Sequence, residues 1–353
     1  MKKLRILLIR GGAPNGVSYH RLLRPHKVLC QQYEYDVHDC DAIEQVSDET
    51  LKSFDIVIGN RTIASVGEVD KQIEQINRIK KAGPKVVLDL DDYWHLHKNH
   101  ELSSWWAKHN MTSVIISNIK NADYITVTHE VIGQLTKRNY TILPNGLDNT
   151  EIQFERKTRA IRNTLDFGWC GSSNHIYDIN LMSESLKRLN EEQVNYRMNF
   201  LGWNPEMKHS KYYEWILTGL GTAKDNQYTN IAGKEVDTYG ALYDHIDVAL
   251  IPLVDNPFNN CKSNLKMLEA GVKGKAVIVS NVYPYTSILK HEKNCLKVNP
   301  TDNTNGWYKA IKRLVNNPNM VIDLANQLHE DVKPYNLANL VKTRHEFYQS
   351  IIK

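Results

Sequence analysis

The stretch Ile251–Ser280, IPLVDNPFNNCKSNLKMLEAGVKGKAVIVS, constrains the fold of this chain more than any other. Asp247–Leu253 and Ala276–Ser280 are short, continuous apolar runs, the pattern of strands buried on both faces of a parallel sheet. Between them the spacing predicts a helix opening on Lys262-Ser263, with Ser263 as its N-cap. Lys266, Glu269 and Lys273 recur at helical spacing, and Leu265, Leu268 and Val272 fill the other face. The expectation is a helix that buries its leucines and turns a Lys/Glu stripe outward. A helix N-terminus beside the carboxyl end of a parallel strand offers unbonded N–H groups and a positive dipole end to a phosphate. Lys262 and Lys266 would add charge there, with the N–H groups near Ser263 and Asn264 facing the anion. Glu269, about a turn deeper, would accept hydrogen bonds from sugar hydroxyls. A nucleotide diphosphate fits this chemistry, although a merely solvated Lys/Glu face has the same spacing.

The same strand-then-helix alternation runs through the chain. Apolar runs at Leu4–Ile9, Ile56–Gly59, Lys85–Leu90 and Tyr124–Thr128 read as strands. Amphipathic segments separate them, one of which, Val69–Lys81, stops at Gly83-Pro84. A helix is expected from about Ser18 to Gln31, after the glycine-rich turn Gly11–Gly16. Pro144-Asn145-Gly146 is a strong turn signal, and a second series of strands begins at Leu165–Cys170, which ends in Gly171-Ser172-Ser173. The economical architecture is two α/β domains in tandem, residues 1–148 and 149–334, separated by a cleft, with a terminal helix over 335–353 that returns to the first.

A length of 353 residues suits two such cores. The composition, 41% hydrophobic and 24% charged, is that of an ordinary globular protein, and no apolar run approaches the roughly 20 residues that span a bilayer. Lys2–Arg10 holds too short an apolar run for a leader and reads as the first strand. Five scattered cysteines without a C-x-x-C pair argue for a reducing, cytoplasmic setting and against a structural zinc site. The net charge of +4 is mild, but Met1–Tyr33 contains no acidic residue, and Arg156, Lys157, Arg159 and Arg162 form a second basic cluster. Such patches suit a phosphate-rich partner.

The segment Asp247–Ser280 resembles the donor-site segment of GT-B glycosyltransferases of the retaining group 1 (family 4) kind. Phe167–Ser172 with His175 and Asp178 is similar to the first strand and loop of that family's nucleotide-binding domain, and Leu143–Asp148 to its interdomain connection. Val17–Arg21 with Pro25 resembles the first helix of a bacterial and phage branch. The resemblance implies two Rossmann-like domains facing each other across a cleft. It also implies a nucleotide-diphosphate sugar held mainly by the second domain, with Gly171, Ser172, His175, Ser263, Asn264 and Glu269 as contacts, and no dedicated enzymatic nucleophile. Many family members carry a second glutamate eight positions before the one matched by Glu269; here Cys261 stands there. The basic residues usual after the first strand of that domain are also missing, so Lys262 and Lys266 inherit the diphosphate.

Departure of a diphosphate is best stabilised by fixed donors and cations, and the two lysines with the helix N–H groups supply these without a metal. Asp89-Leu90-Asp91-Asp92, at the carboxyl end of an expected strand, admits three readings: a D-x-D metal site, a helix cap, or carboxylates Asp91 and Asp92 that orient the acceptor. The last is preferred. His20 and Arg21, on the first helix, would face the cleft and contact donor phosphate or acceptor. Trp94, Trp105 and Trp106 read as a stacking platform or as core. The acceptor hydroxyl could belong to a surface glycan or to a hydroxymethylated DNA base, and oligomeric state is not legible. A nucleotide-sugar epimerase of the same architecture and a non-catalytic sugar-nucleotide binder are the competing readings.

Overall fold

A computed structural model describes residues 3–65, 67–98, 100–157, 162–172, 175–204 and 227–352. Ser173 and Arg159, both singled out from the sequence, lie outside the described residues. The chain divides into two compact units: residues 1–148, 261–263 and 335–353 form the first, and 149–260 with 264–334 the second.

The first unit is built on six parallel strands in the order β2-β1-β3-β4-β5-β6. They are β1 (Leu4–Ile9), β2 (Tyr35–Cys40), β3 (Ile56–Asn60), β4 (Lys85–Leu90), β5 (Tyr124–Val127) and β6 (Thr141–Ile142). Side chains alternate across the sheet, so its two faces found two cores. Leu7, Val57, Val86 and Leu88 join Ile76 and Ile115 on one face. Ile6, Ile56, Ile58 and Val87 join Leu29, Val341 and Tyr348 on the other. The second core draws in both α1 (Arg24–Gln32) and the terminal helix Leu337–Ile352. Its anchors are polar as well: the His26 ring lies 2.8 Å from the Tyr348 hydroxyl, and Tyr35 pairs with His345 at 3.0 Å. Backbone bonds from Leu147 to Tyr335 and from Leu337 back to Leu147 fasten the end of the connecting segment to the start of that helix.

The expected helix over Ser18–Gln31 takes a different form. Asn15 caps a short turn at Gly16–Ser18 through a reciprocal bond with Ser18, a wider π-helical turn follows at Tyr19–Leu23, and only then does α1 begin. An extra residue in the turn is invisible to a periodicity argument, and such turns concentrate where side chains must be re-aimed. Here the turn carries His20 and Arg21 inward; both are buried.

The second unit repeats the plan with strand order β12-β11-β10-β7-β8-β9. The strands are β7 (Leu165–Cys170), β8 (Tyr196–Trp203), β9 (Tyr228–Ala232), β10 (Val248–Ile251), β11 (Ala276–Ser280) and β12 (Leu296–Val298). Phe167, Trp169, Val248 and Ile278 pack with Leu186, Trp307, Ile311 and Leu324 in one core. The helix between β10 and β11, hereafter α2, spans Leu265–Val272. Its N-cap is Asn264, not Ser263, and Asn264 makes no side-chain cap bond. The outward Lys/Glu stripe expected for it is also corrected, because Glu269 and Lys273 are both buried. The Lys273 ammonium is tied to the carbonyls of Gln153 (3.1 Å) and Glu155 (2.8 Å) and pairs with Asp244 at 2.7 Å. Gly271 on α2, where a Cβ would come within 2.8 Å of Val332, lets the helix pack closely inside the unit, so polar side chains on it had to find partners there.

Candidate functional site

In the second unit the carboxyl end of β7 is made of small residues for a steric reason. A Cβ on Gly171 would come within 2.8 Å of the Lys266 ammonium and 2.7 Å of the Trp169 ring. A Cβ on Gly202, whose φ of +93° already favours glycine, would come within 2.7 Å of the Gly171 carbonyl oxygen. The ends of β7 and β8 therefore approach each other as bare backbone, with Lys266 beside them. The Lys266 ammonium donates to the Cys170 carbonyl and lies 5.5 Å from the centre of the Trp169 ring. An ammonium has three donors, and among the described residues no carboxylate is within ion-pair range of this one. Burial pushes the Cys170 thiol up to about 12, so it stays protonated beside the lysine.

One turn along α2, Glu269 is enclosed by two tyrosines. The Tyr239 hydroxyl donates to one carboxylate oxygen and the Tyr243 hydroxyl to the other at 2.7 Å. Burial raises the Glu269 pKa, opposed by the nearby Lys266 charge and the two hydroxyls. The sequence marks neither tyrosine as a site residue; their i, i+4 spacing is the one signal that both could reach a single carboxylate.

The loop after β7 is held by Asp178. Its Oδ2 lies 2.8 Å from His175 Nδ1, and its Oδ1 accepts from the Val254 N–H (2.9 Å) and the Asn259 amide (2.8 Å). The Leu253 N–H donates to Ser280 Oγ at 2.9 Å. These bonds fix the loop after β10 to the ends of β7 and β11, the edge at which ligands bind in open parallel sheets. Ser172 is exposed at that edge and His175 is half-buried. Gly171, Lys266 and Glu269 are thus gathered in one place, with His175 on the neighbouring loop.

The first unit treats its charges differently. Asp89, buried at the end of β4, receives a two-pronged contact from Arg21: Nε to Oδ2 at 2.9 Å and Nη2 to Oδ1 at 2.7 Å. Arg21 Nη1 also donates to the Leu143 carbonyl at 2.7 Å and to Asn145 Oδ1 at 2.8 Å. This corrects the expectation that Arg21 faces outward for phosphate: it is 1% exposed and its donors are committed inside the unit. His20 supplies no positive charge either, because burial and the adjacent Arg21 lower its pKa to about 4.

Asp91 and Asp92 share Arg61, a residue that the sequence did not bring forward. Arg61 Nε and Nη2 each lie 2.8 Å from an Asp91 oxygen, and Nη2 lies 3.0 Å from Asp92. Its backbone sits at φ +61°, and nothing local announces a partner 30 residues downstream. Asp92 is held above the ordinary carboxylate range by burial, against the attraction of Lys262 and Arg61. Lys262 and Ser263 therefore belong with Asp92 in the first unit, while Asn264 and Lys266 belong to the second. His129, also missed, places Nε2 3.1 Å from the Cys261 carbonyl, and burial lowers its pKa. Among the described residues no group of three or more His, Cys, Asp or Glu side chains is arranged to hold a metal.

In the acid-free N-terminal segment the arginines are paired within the unit, while Lys3 and Lys27 stay exposed. Arg5 pairs with Asp36, Arg10 with Asp39 and Asp41, Arg21 with Asp89, and Arg24 with Asp148.

Residues 165–317 match the family model described as glycosyl transferases group 1. The match covers less than half of the chain and falls, apart from residues 261–263, within the second unit, and the architecture of both units is that of the GT-B fold. Among solved structures, it is similar to sucrose-phosphate synthase from Thermosynechococcus elongatus at 16% identity and a TM-score of 0.69, with 99% of each chain covered. It is similar to Anabaena HepE, solved in complex with UDP-glucose, at 11% identity and a TM-score of 0.69 over 99% of this chain and 100% of that one. A glycosyltransferase from Rickettsia africae follows at 11% identity and 0.66, with each chain covered in full. A sequence search among curated proteins finds no match. Among the described residues no helix is long and apolar enough to cross a membrane.

Proposed function

We propose that the second unit holds a nucleotide-diphosphate sugar and that the enzyme transfers the sugar, with retention, to a hydroxyl of a glycan acceptor. The observation that carries this reading is the Lys266 ammonium. It stands at the glycine-lined ends of β7 and β8 with donors to spare and, among the described residues, no carboxylate within ion-pair range. A cation fixed in this way stabilises the charge that grows on a departing diphosphate without reorganising during the step. The backbone at Gly171 and Ser172 and the N–H groups beyond Asn264 are the further phosphate contacts. His175, oriented by Asp178, is a sugar contact, and Glu269, oriented by its tyrosines, is the ribose ligand. In the first unit Asp92, with Lys262 and Arg61 beside it, orients the acceptor, and Asp91 sets the position of Arg61.

Transfer with retention proceeds on one face of the sugar: the bond from the anomeric carbon to the diphosphate breaks, the acceptor oxygen bonds to that carbon, and the departing phosphate takes the acceptor's proton. No metal enters this account. The pairing of the N-terminal arginines with aspartates supports a glycan acceptor over a DNA base, since neutralised cations release no counterions from a phosphate backbone. The test is a panel of UDP-, GDP- and ADP-sugars, UDP-glucose first, assayed for slow hydrolysis with and without chelator. Turnover of one nucleotide class that survives chelation is expected. Binding of a nucleotide sugar without turnover of any would reduce the protein to a binding module.

A further inference from the structure

The first unit contains a cavity of about 300 Å³ that none of the groups above uses. Its lining begins a few residues after Asp92 in the chain and includes Trp106, Ser103, Asn110, Thr112, His95 and Lys98. Its size is at the small end of ligand sites, enough for one ring and its substituents.

The wall is fixed. Trp106 Nε1 donates to the Trp94 carbonyl at 3.1 Å and reaches Thr112 Oγ1 at 3.2 Å, and the Thr112 hydroxyl donates to the same carbonyl at 2.8 Å. Trp94 is itself buried in the core. The indole is therefore held by its edge, at the core, in the wall of the cavity. Asn110 enters the helix Met111–Asn121 at φ +47° and makes no cap bond. A non-glycine residue held in the left-handed region at the lip of a cavity is the kind of local strain found where side chains are aimed at ligands.

Charge narrows the ligand. Among the described residues no aspartate or glutamate lines the cavity, whereas Lys98 and His95 do. Lys98 is exposed and makes no ion pair among the described residues. Ser103, Asn110 and Thr112 supply hydroxyl and amide groups, while the aromatic wall suits an apolar ring face. A neutral sugar would leave the Lys98 ammonium without a purpose, and a bare anion would leave the aromatic wall without one.

We propose that this cavity is a subsite for a saccharide bearing a negatively charged substituent, a phosphate ester or a carboxylate, on the acceptor side of the reaction. The acceptor role rests on the transferase reading above. Trp106 covers the ring face, Ser103, Asn110 and Thr112 bond hydroxyls, and Lys98 with His95 holds the anion.

The experiment is calorimetric titration of the intact protein with glucose, glucose 6-phosphate, glucuronate and inorganic phosphate. At least one charged sugar should bind about tenfold or more tighter than both glucose and inorganic phosphate, the increment of one charge-assisted contact. The stronger of the two identifies the substituent. Lys98→Ala should remove most of that preference and Lys98→Arg should restore part of it. Trp106→Phe should keep the preference while weakening every sugar. Equal affinity for glucose and the charged sugars, binding no tighter than inorganic phosphate, or a preference that survives Lys98→Ala overturns the proposal. Titration of the same sample with UDP and UDP-, GDP- and ADP-sugars keeps the two readings apart. Donor binding without a charged-sugar preference rejects the subsite alone, whereas no donor binding and no sugar binding rejects the transferase reading with it.

Discussion

Arg21 and Lys266 are both cations near the carboxyl end of a parallel strand, one in each unit, and they do opposite work. Arg21 meets a carboxylate, a carbonyl and an amide, so its charge is closed within the fold. Lys266 meets one carbonyl and an aromatic face, so its charge is left for something else. The same contrast separates Asp91, clasped by Arg61, from Glu269, whose partners are neutral hydroxyls. Residue type and strand-end position do not distinguish the two kinds of charge; the count of committed partners does.

The comparison is broken most easily at Arg21. Arg21→Met leaves Asp89 buried without its counter-charge, and removal of one partner from a buried pair costs about 3–5 kcal/mol. Chemical denaturation should show a loss of that size, and Arg21→Lys should recover little because an ammonium cannot reproduce the two-pronged contact. A loss under about 1 kcal/mol would mean that Arg21 is as available as Lys266. Next is Glu269→Gln, which should weaken nucleoside diphosphate binding by about 1.5–3 kcal/mol in a calorimetric titration, the scale of hydrogen bonds to a charged group. Unchanged affinity would remove the ribose assignment.

The closed charges of the first unit also carry a pH signature. His20 and His26 have pKa values lowered to about 4 and about 3 by burial, against 6.5 for an exposed histidine. Between these limits the unfolded chain binds more protons than the folded one, so their contribution is complete above about pH 6.5 and is lost as the pH falls toward 4 and then 3. The denaturation midpoint should therefore drop from pH 7 to pH 5, and His26→Gln should flatten that slope. A slope unaltered by the substitution would contradict the assignment. The smallest effect is expected at Cys261, where the thiol packs in the core and burial with the nearby Asp92 pushes it up to about 12. Cys261→Ser should cost about 1–2 kcal/mol of stability as a hydroxyl enters an apolar site, and turnover should stay within about threefold of the unaltered enzyme. Complete inactivation would give the thiol a chemical role that this mechanism lacks.

The sequence made inner strands such as β3, β10 and β11 legible because they are continuous apolar runs, as burial on both faces requires. It did not reveal β2 or β9, which lie at sheet edges and carry Asp36, His38 and Asp39, and Thr229 and Asn230, toward solvent. Lys266 and Glu269 were legible together because helical spacing sets them a turn apart, whereas Gly171, on the distant strand end of β7, entered the site only through the resemblance to the family. Arg61 and His129 were not, because their partners come from β4 and from the segment at Cys261, distances that no local pattern encodes. Arg21 was visible but misread: the extra residue in the turn at Tyr19–Leu23 carries it inward, and a regular helix drawn from spacing alone does not.

The central claim is that Lys266 carries the leaving-group charge, and steady-state kinetics of Lys266→Ala with donor concentration varied tests it most directly. Turnover should fall by about 10²–10³, as for loss of one preorganised donor. The Michaelis constant should change much less, since backbone N–H groups still bind the ground state, and added magnesium should restore nothing. Turnover within a few-fold of the unaltered enzyme would contradict the account and leave Lys266 as a cation that merely braces Trp169 and the end of β7.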